Sequence, residues 1–158
     1  MKDTILFGDC RKTLCAFLPQ SARVCVTSPP YYGLRDYGGE DSQIGQEQTP
    51  EEYIEQLVNV FKEVKNVLTD DGTCWVNLGD SYYNYRPGRG QGLAKQTVSN
   101  TKQDLPDVCP RRGNRLEGLK EKDLIGIPWL FAFAMRADGW YLRQDIIWHK
   151  PNPMPESV

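Results

Sequence analysis

The sequence predicts an α/β fold built on a mostly parallel, doubly wound sheet. Three observations predict it. Short apolar runs alternate with amphipathic stretches in the order strand, helix, strand, helix, strand, long loop, helix, strand. Alternation of this kind is the pattern of a parallel sheet with crossover helices. Three of the runs stop abruptly at turn residues: Gly8-Asp9-Cys10, Thr27-Ser28-Pro29-Pro30-Tyr31 and Leu78-Gly79-Asp80. The chain has 158 residues, of which 39% are hydrophobic, which suits one domain with a core and argues against disorder.

The elements follow in order. Thr4–Phe7 is a β-favouring apolar run closed by Gly8-Asp9, and predicts a buried strand. Residues 11–18 place Leu14, Cys15, Phe17 and Leu18 on a short helix ended by Pro19. Val24–Thr27 predicts a second buried strand, stopped by Pro29-Pro30. Residues 31–48 carry four glycines and read as loop. A helix is predicted over residues 50–68. Thr49 is its cap, Pro50 its first residue, and Glu52 completes a capping box. Ile54, Leu57, Val58, Phe61, Val64 and Leu68 form its apolar stripe, and Asp70-Asp71-Gly72 is the expected stop. Thr73–Leu78 predicts a third strand. Pro128 opens a helix through Ala137, and Tyr141–Trp148 predicts a fourth strand before a proline-rich end. In such sheets ligands bind beyond the carboxyl ends of the strands, so the three turns should converge on one edge.

Composition removes several classes. No apolar stretch is long enough for a transmembrane helix, so no membrane role is expected, and the first ten residues lack a signal-peptide core. Five cysteines without a CxxC pair, and one histidine, argue against a structural metal site and for reduced, cytoplasmic thiols. The net charge of −2 hides an asymmetry. Residues 1–85 carry 7 basic and 13 acidic side chains, and residues 86–122 carry 9 and 4. A basic loop at about 84–120 could therefore meet a polyanion or simply be solvated. Its arginines, Arg86, Arg89, Arg111, Arg112 and Arg115, are candidate phosphate contacts.

Ser28-Pro29-Pro30-Tyr31 is the most informative segment. Two prolines after a strand make a rigid backbone that lacks N–H groups and presents carbonyls. With the Ser28 hydroxyl, such a row suits an NH2 group, and Tyr31 adds a face for a ring. TSPPYYGLRDYG resembles the S/D-P-P-Y motif of the DNA amino-methyltransferases, which methylate the exocyclic amine of cytosine or adenine. ILFGDC, LTDDGTCWVNLGDSYY and IGIPWLFAFAMRADGWYLRQDIIWHKPNPMPES are similar to further segments of the permuted group that carries this motif near its N-terminus.

The resemblance implies a Rossmann-like methyltransferase sheet and S-adenosylmethionine as cofactor. It implies double-stranded DNA as partner, with the target base flipped out of the stack. Ser28, Pro29, Pro30 and Tyr31 would be catalytic, gripping and stacking the base. Asp9 and Cys10 would meet the cofactor's adenosine part, although Asp9 could equally cap the following helix. Asp80, Trp148 and Lys150 would border the base. Alternatively, Asp80 is a plain turn residue and Trp148 is core. Ser28, where adenine enzymes more often carry Asp, favours N4 of cytosine over N6 of adenine. A non-catalytic nucleic-acid-binding module is the remaining reading. The family's Gly-rich F-x-G-x-G turn and recognition region are absent from these residues. The expectation is thus the N-terminal part of one catalytic domain, weak in cofactor binding alone. It would be completed by a C-terminal half or a partner chain, in a bacterial, archaeal or phage setting. A restriction endonuclease is a further partner the resemblance allows. A C5-cytosine mechanism is excluded, since no Pro-Cys dipeptide occurs.

Overall fold

A computed structural model describes residues 3–34, 43–83, 116 and 118–152. The basic stretch of the sequence lies almost wholly outside the described residues. The element order is α1 (Cys10–Thr13), a 3₁₀ turn (Leu14–Ala16), β1 (Ala22–Thr27), α2 (Pro50–Val67), β2 (Leu68–Val76) and α3 (Ile127–Ala137). No helix among the described residues is long and apolar enough to cross a membrane.

Helix α2 forms as its local code dictates. Thr49 Oγ1 accepts from the Glu52 amide at 3.2 Å, and Glu52 Oε2 accepts from the Thr49 amide at 3.2 Å. Pro50 stands where a missing N–H costs nothing. The buried stripe is Tyr53, Ile54, Leu57, Phe61, Val64 and Val67. It packs on Ile127, Phe131 and Met135 of α3, with the Phe61 and Phe131 rings 5.2 Å apart. At the far end, Lys65 Nζ donates to the carbonyls of Asp138 and Gly139 at 3.2 and 3.3 Å, tying the end of α3 to α2.

Strands β1 and β2 pair in parallel around α2, a βαβ unit. Val24, Cys25, Val26 and Thr27 face Thr73, Cys74, Trp75 and Val76. The stop expected at Asp70-Asp71-Gly72 is instead an irregularity inside β2. Ala22 pairs with Leu68 and Val24 already with Thr73, so Thr69–Gly72 bulge out of register. Gln20 Nε2 donates to Asp70 Oδ1 at 3.1 Å and pins the bulge. Gly72 does not adopt a left-handed φ, but a Cβ there would meet the Thr69 carbonyl at 2.8 Å.

Two predicted strands do not form. Thr4–Phe7 and Tyr141–Trp148 carry no ladder, and the sheet of the described residues has two strands, β1 and β2. Phe7 is 90% exposed and Ile147 84%. Their β-branched and aromatic residues suit a pleated, half-buried surface, but a strand exists only when a neighbour takes its hydrogen bonds. The predicted helix over residues 11–18 is likewise shorter, splitting into α1 and the 3₁₀ turn. The architecture is therefore α/β with a parallel pair, a smaller arrangement than the doubly wound sheet expected.

Candidate active site

The parallel pairing carries the ends of β1 and β2 to the same edge. The ladder runs one step beyond the strands, where the Asn77 amide donates to the Thr27 carbonyl at 2.9 Å. Ser28-Pro29-Pro30-Tyr31 leaves β1 here, and Leu78-Gly79-Asp80 leaves β2. The two turns touch through Tyr31 and Gly79. A Cβ on Gly79 would lie 2.8 Å from Tyr31 Cε2 and 3.0 Å from Cδ2, so the ring rests directly on the Gly79 backbone. Only glycine permits that approach.

Helix α2 holds the loop from beneath. Tyr53, fully buried in the first turn, donates its hydroxyl to the Pro30 carbonyl at 2.7 Å. Its ring meets Tyr32 at 5.3 Å, and the Tyr32 hydroxyl donates to the Gln48 carbonyl at 3.3 Å. Gly45, at φ 100°, closes over the loop, since a Cβ there would stand 3.0 Å from the Tyr31 carbonyl. A positive φ of this kind suits glycine alone. The Ser28 hydroxyl is exposed and donates to Tyr31 Oη across a long 3.4 Å. The Pro29 carbonyl takes no hydrogen bond among the described residues. The outcome is a rigid loop presenting a serine hydroxyl, an open carbonyl and a supported aromatic ring. These groups can grip an amine and stack a flat ring.

Asp80 is occupied differently. Its carboxylate accepts from the amides of Ser81 (2.9 Å), Gly126 (3.0 Å) and Ile127 (3.1 Å). It thereby satisfies the first amides of α3, whose own preceding residue, Gly126, has no side chain to cap with. Asp80 thus couples the Gly79 turn to α3.

Asp9 accepts from the Arg11 amide at 3.0 Å and pairs with Arg11 Nη2 at 2.8 Å. The hydrogen bonds from the Arg11 side chain, then its amide, hold the carboxyl below the usual carboxylate range. Cys10 is the exposed first residue of α1. Helix α1 contacts the 3₁₀ turn and α2. Trp148 is 77% exposed on the unpaired segment after α3, and Lys150 is exposed beside it. The structure brings together Ser28–Tyr31 and Gly79-Asp80, while Asp9, Cys10, Trp148 and Lys150 lie on separate elements. Tyr53 escaped the reading of the sequence. Its spacing to Leu57, Phe61 and Val64 puts it on the apolar stripe, and a tyrosine there signals a buried hydroxyl in need of a partner.

Comparison with known proteins bears on the same residues. A family profile described as DNA methylase, of the N6/N4 group, matches residues 22–158. The Type II methyltransferase M.Cfr9I of Citrobacter freundii is 50% identical over 155 residues, covering 98% of this chain and 49% of its own length. M.XycI of Xanthomonas campestris pv. cyanopsidis is 49% identical over 155 residues, with the same coverage of 98% and 49%. M.SmaI of Serratia marcescens is 46% identical over 154 residues, 98% of this chain and 50% of its own length. The chain spans about half the length of these curated relatives. No solved structure matches.

Proposed function

This chain belongs to the DNA methylase family, and from that premise we propose that it forms the base-gripping part of a DNA methyltransferase acting on N4 of cytosine. The observation that carries the reading is the Ser28–Tyr31 loop, braced by Tyr53 below and Gly79 behind.

An exocyclic amine is a poor nucleophile because its lone pair is delocalised into the ring. Ser28 Oγ and the Pro29 carbonyl accept its two hydrogens, which favours a pyramidal nitrogen with a localised lone pair. Tyr31 stacks on the flipped base, a contact of about 1–3 kcal/mol. The braced backbone holds both acceptors in place before the base arrives, so little reorganisation opposes the reaction.

S-adenosylmethionine, when bound, supplies an electrophilic methyl group. The chemistry at the start of α1 fits its adenosine end, because Asp9, which caps that helix, is an acceptor-only carboxylate whose ionised form Arg11 favours. Asp9 and Cys10 are the residues proposed to hold that end. Trp148 and Lys150 are proposed to border the base, and Asp80 to serve it by fixing the Gly79 turn on α3. The rest of the cofactor site is proposed to come from a segment corresponding to the other half of the relatives' length. Ser28, in place of an aspartate, favours cytosine.

The test joins this chain to the remainder of the Citrobacter freundii relative and analyses methylated DNA by nucleoside mass spectrometry. N4-methylcytosine is the expected product, and N6-methyladenine alone would overturn the cytosine assignment. Ser28→Ala should lower kcat far more than DNA affinity, because the Ser28 contact strengthens as the nitrogen pyramidalises.

A further inference from the structure

Cys25 of β1 and Cys74 of β2 are register partners in the parallel pair. Adjacent strands lie about 4.8 Å apart, within the roughly 4.4–6.8 Å between Cα atoms that a disulfide spans. Partners in parallel register project to the same face. Both side chains are half-buried at the edge of the core. Neither has a role in the site described above. We propose that Cys25 and Cys74 form an oxidation site, a reversible disulfide across β1 and β2 made at the expense of a hydroperoxide.

The pair is polarised for this chemistry. The neighbouring Cys74 thiol favours the Cys25 thiolate, against the opposing effect of burial. Cys74 is pushed upward by Cys25 beside it and then by burial. Cys25 is therefore the nucleophilic sulfur and Cys74 keeps its proton. The Cys25 thiolate attacks the terminal peroxide oxygen, the O–O bond breaks, and the alcohol or water leaves with a proton. Cys25 becomes a sulfenic acid. Cys74 then attacks the Cys25 sulfur and gives up its proton, the S–O bond breaks, and water leaves. Two thiols are oxidised, and one hydroperoxide is reduced to an alcohol, or water, plus a second water. The bond would lie just before the Ser28 loop, locking together the two strands whose ends bring Tyr31 onto Gly79.

Cys15 is the contrasting thiol. Desolvation, then the nearby Glu63 carboxylate, pushes it upward, away from the reactive thiolate.

The experiment treats the folded chain with equimolar hydrogen peroxide, alkylates the remaining thiols and maps peptides without reduction. The expected result is a loss of two hydrogens in one cross-link joining the Cys25 and Cys74 peptides, undone by dithiothreitol. In Cys74→Ser, dimedone should trap a sulfenic acid at Cys25 that the unaltered chain does not accumulate. The proposal is overturned if Cys25 overoxidises without a cross-link, or if a Cys10–Cys15 link predominates. It is equally overturned if the Cys25–Cys74 link forms no faster than in the same chain unfolded in guanidinium.

Discussion

Tyr53→Phe removes one oxygen atom and leaves the ring that fills the core. Tyr53 is 0% exposed and its hydroxyl lies 2.7 Å from the Pro30 carbonyl, so the substitution deletes one short hydrogen bond. Leaving a buried acceptor unmet costs about 1–3 kcal/mol. The contact is only partly buried, so the lower end of that range applies. The expected loss is about 1 kcal/mol, or about 2–4 °C in Tm for a chain of this size. Tyr53→Ala would also empty the ring's volume and should cost about 3–5 kcal/mol. The gap between the two variants separates the brace from the packing. Urea titration of both variants beside the unaltered chain measures it. In the enzyme completed as above, Tyr53→Phe should lower kcat with the KM for DNA nearly unchanged, because a looser Pro30 misplaces acceptors that matter in the transition state. A Tyr53→Phe chain as stable and as active as its parent would refute the brace.

Three further outcomes follow from the same geometry. Gly79→Ala puts a methyl group 2.8 Å from Tyr31 Cε2; overpacking of this kind costs about 1–3 kcal/mol, and quenching of a stacked base analogue should fall as the ring moves, whereas unchanged quenching would separate the ring from the base. Asp80→Ala strips the amides of Gly126 and Ile127 of their acceptor and should cost about 1–2 kcal/mol, read as faster hydrogen exchange at the start of α3; unchanged exchange there would mean that other groups cap the helix. Asp9 is held below its ordinary value of 3.8 by Arg11, so its pair stabilises the fold above that value and the contribution fades as pH falls through the lowered value in the folded chain. Asp9→Asn should flatten acid unfolding in that window, and an identical acid profile would show that the pair is idle.

The start and most of the apolar stripe of helix α2 were legible in the sequence because a helix makes its hydrogen bonds to itself, whereas its end was not, since Leu68 already belongs to β2. Thr49, Pro50 and Glu52 encode its start within four residues, and its apolar stripe needs only a facing surface. The position of strand β1 and its Pro-Pro exit were legible for a related reason, since proline ends a ladder whatever surrounds it, but its expected burial was not met, because Val24 and Val26 are exposed. The family was legible because the Ser28–Tyr31 motif and its flanking segments are local strings. What lay beyond the sequence depends on groups far apart in the chain. Asp80 reads as a turn residue until Gly126 and Ile127 are seen to need its carboxylate. Tyr53 reads as one more aromatic until the Pro30 carbonyl is placed over it. Thr4–Phe7 and Tyr141–Trp148 have strand composition, yet composition supplies no partner. A strand's amides and carbonyls point sideways to a neighbour, and only the tertiary arrangement decides whether a neighbour is there.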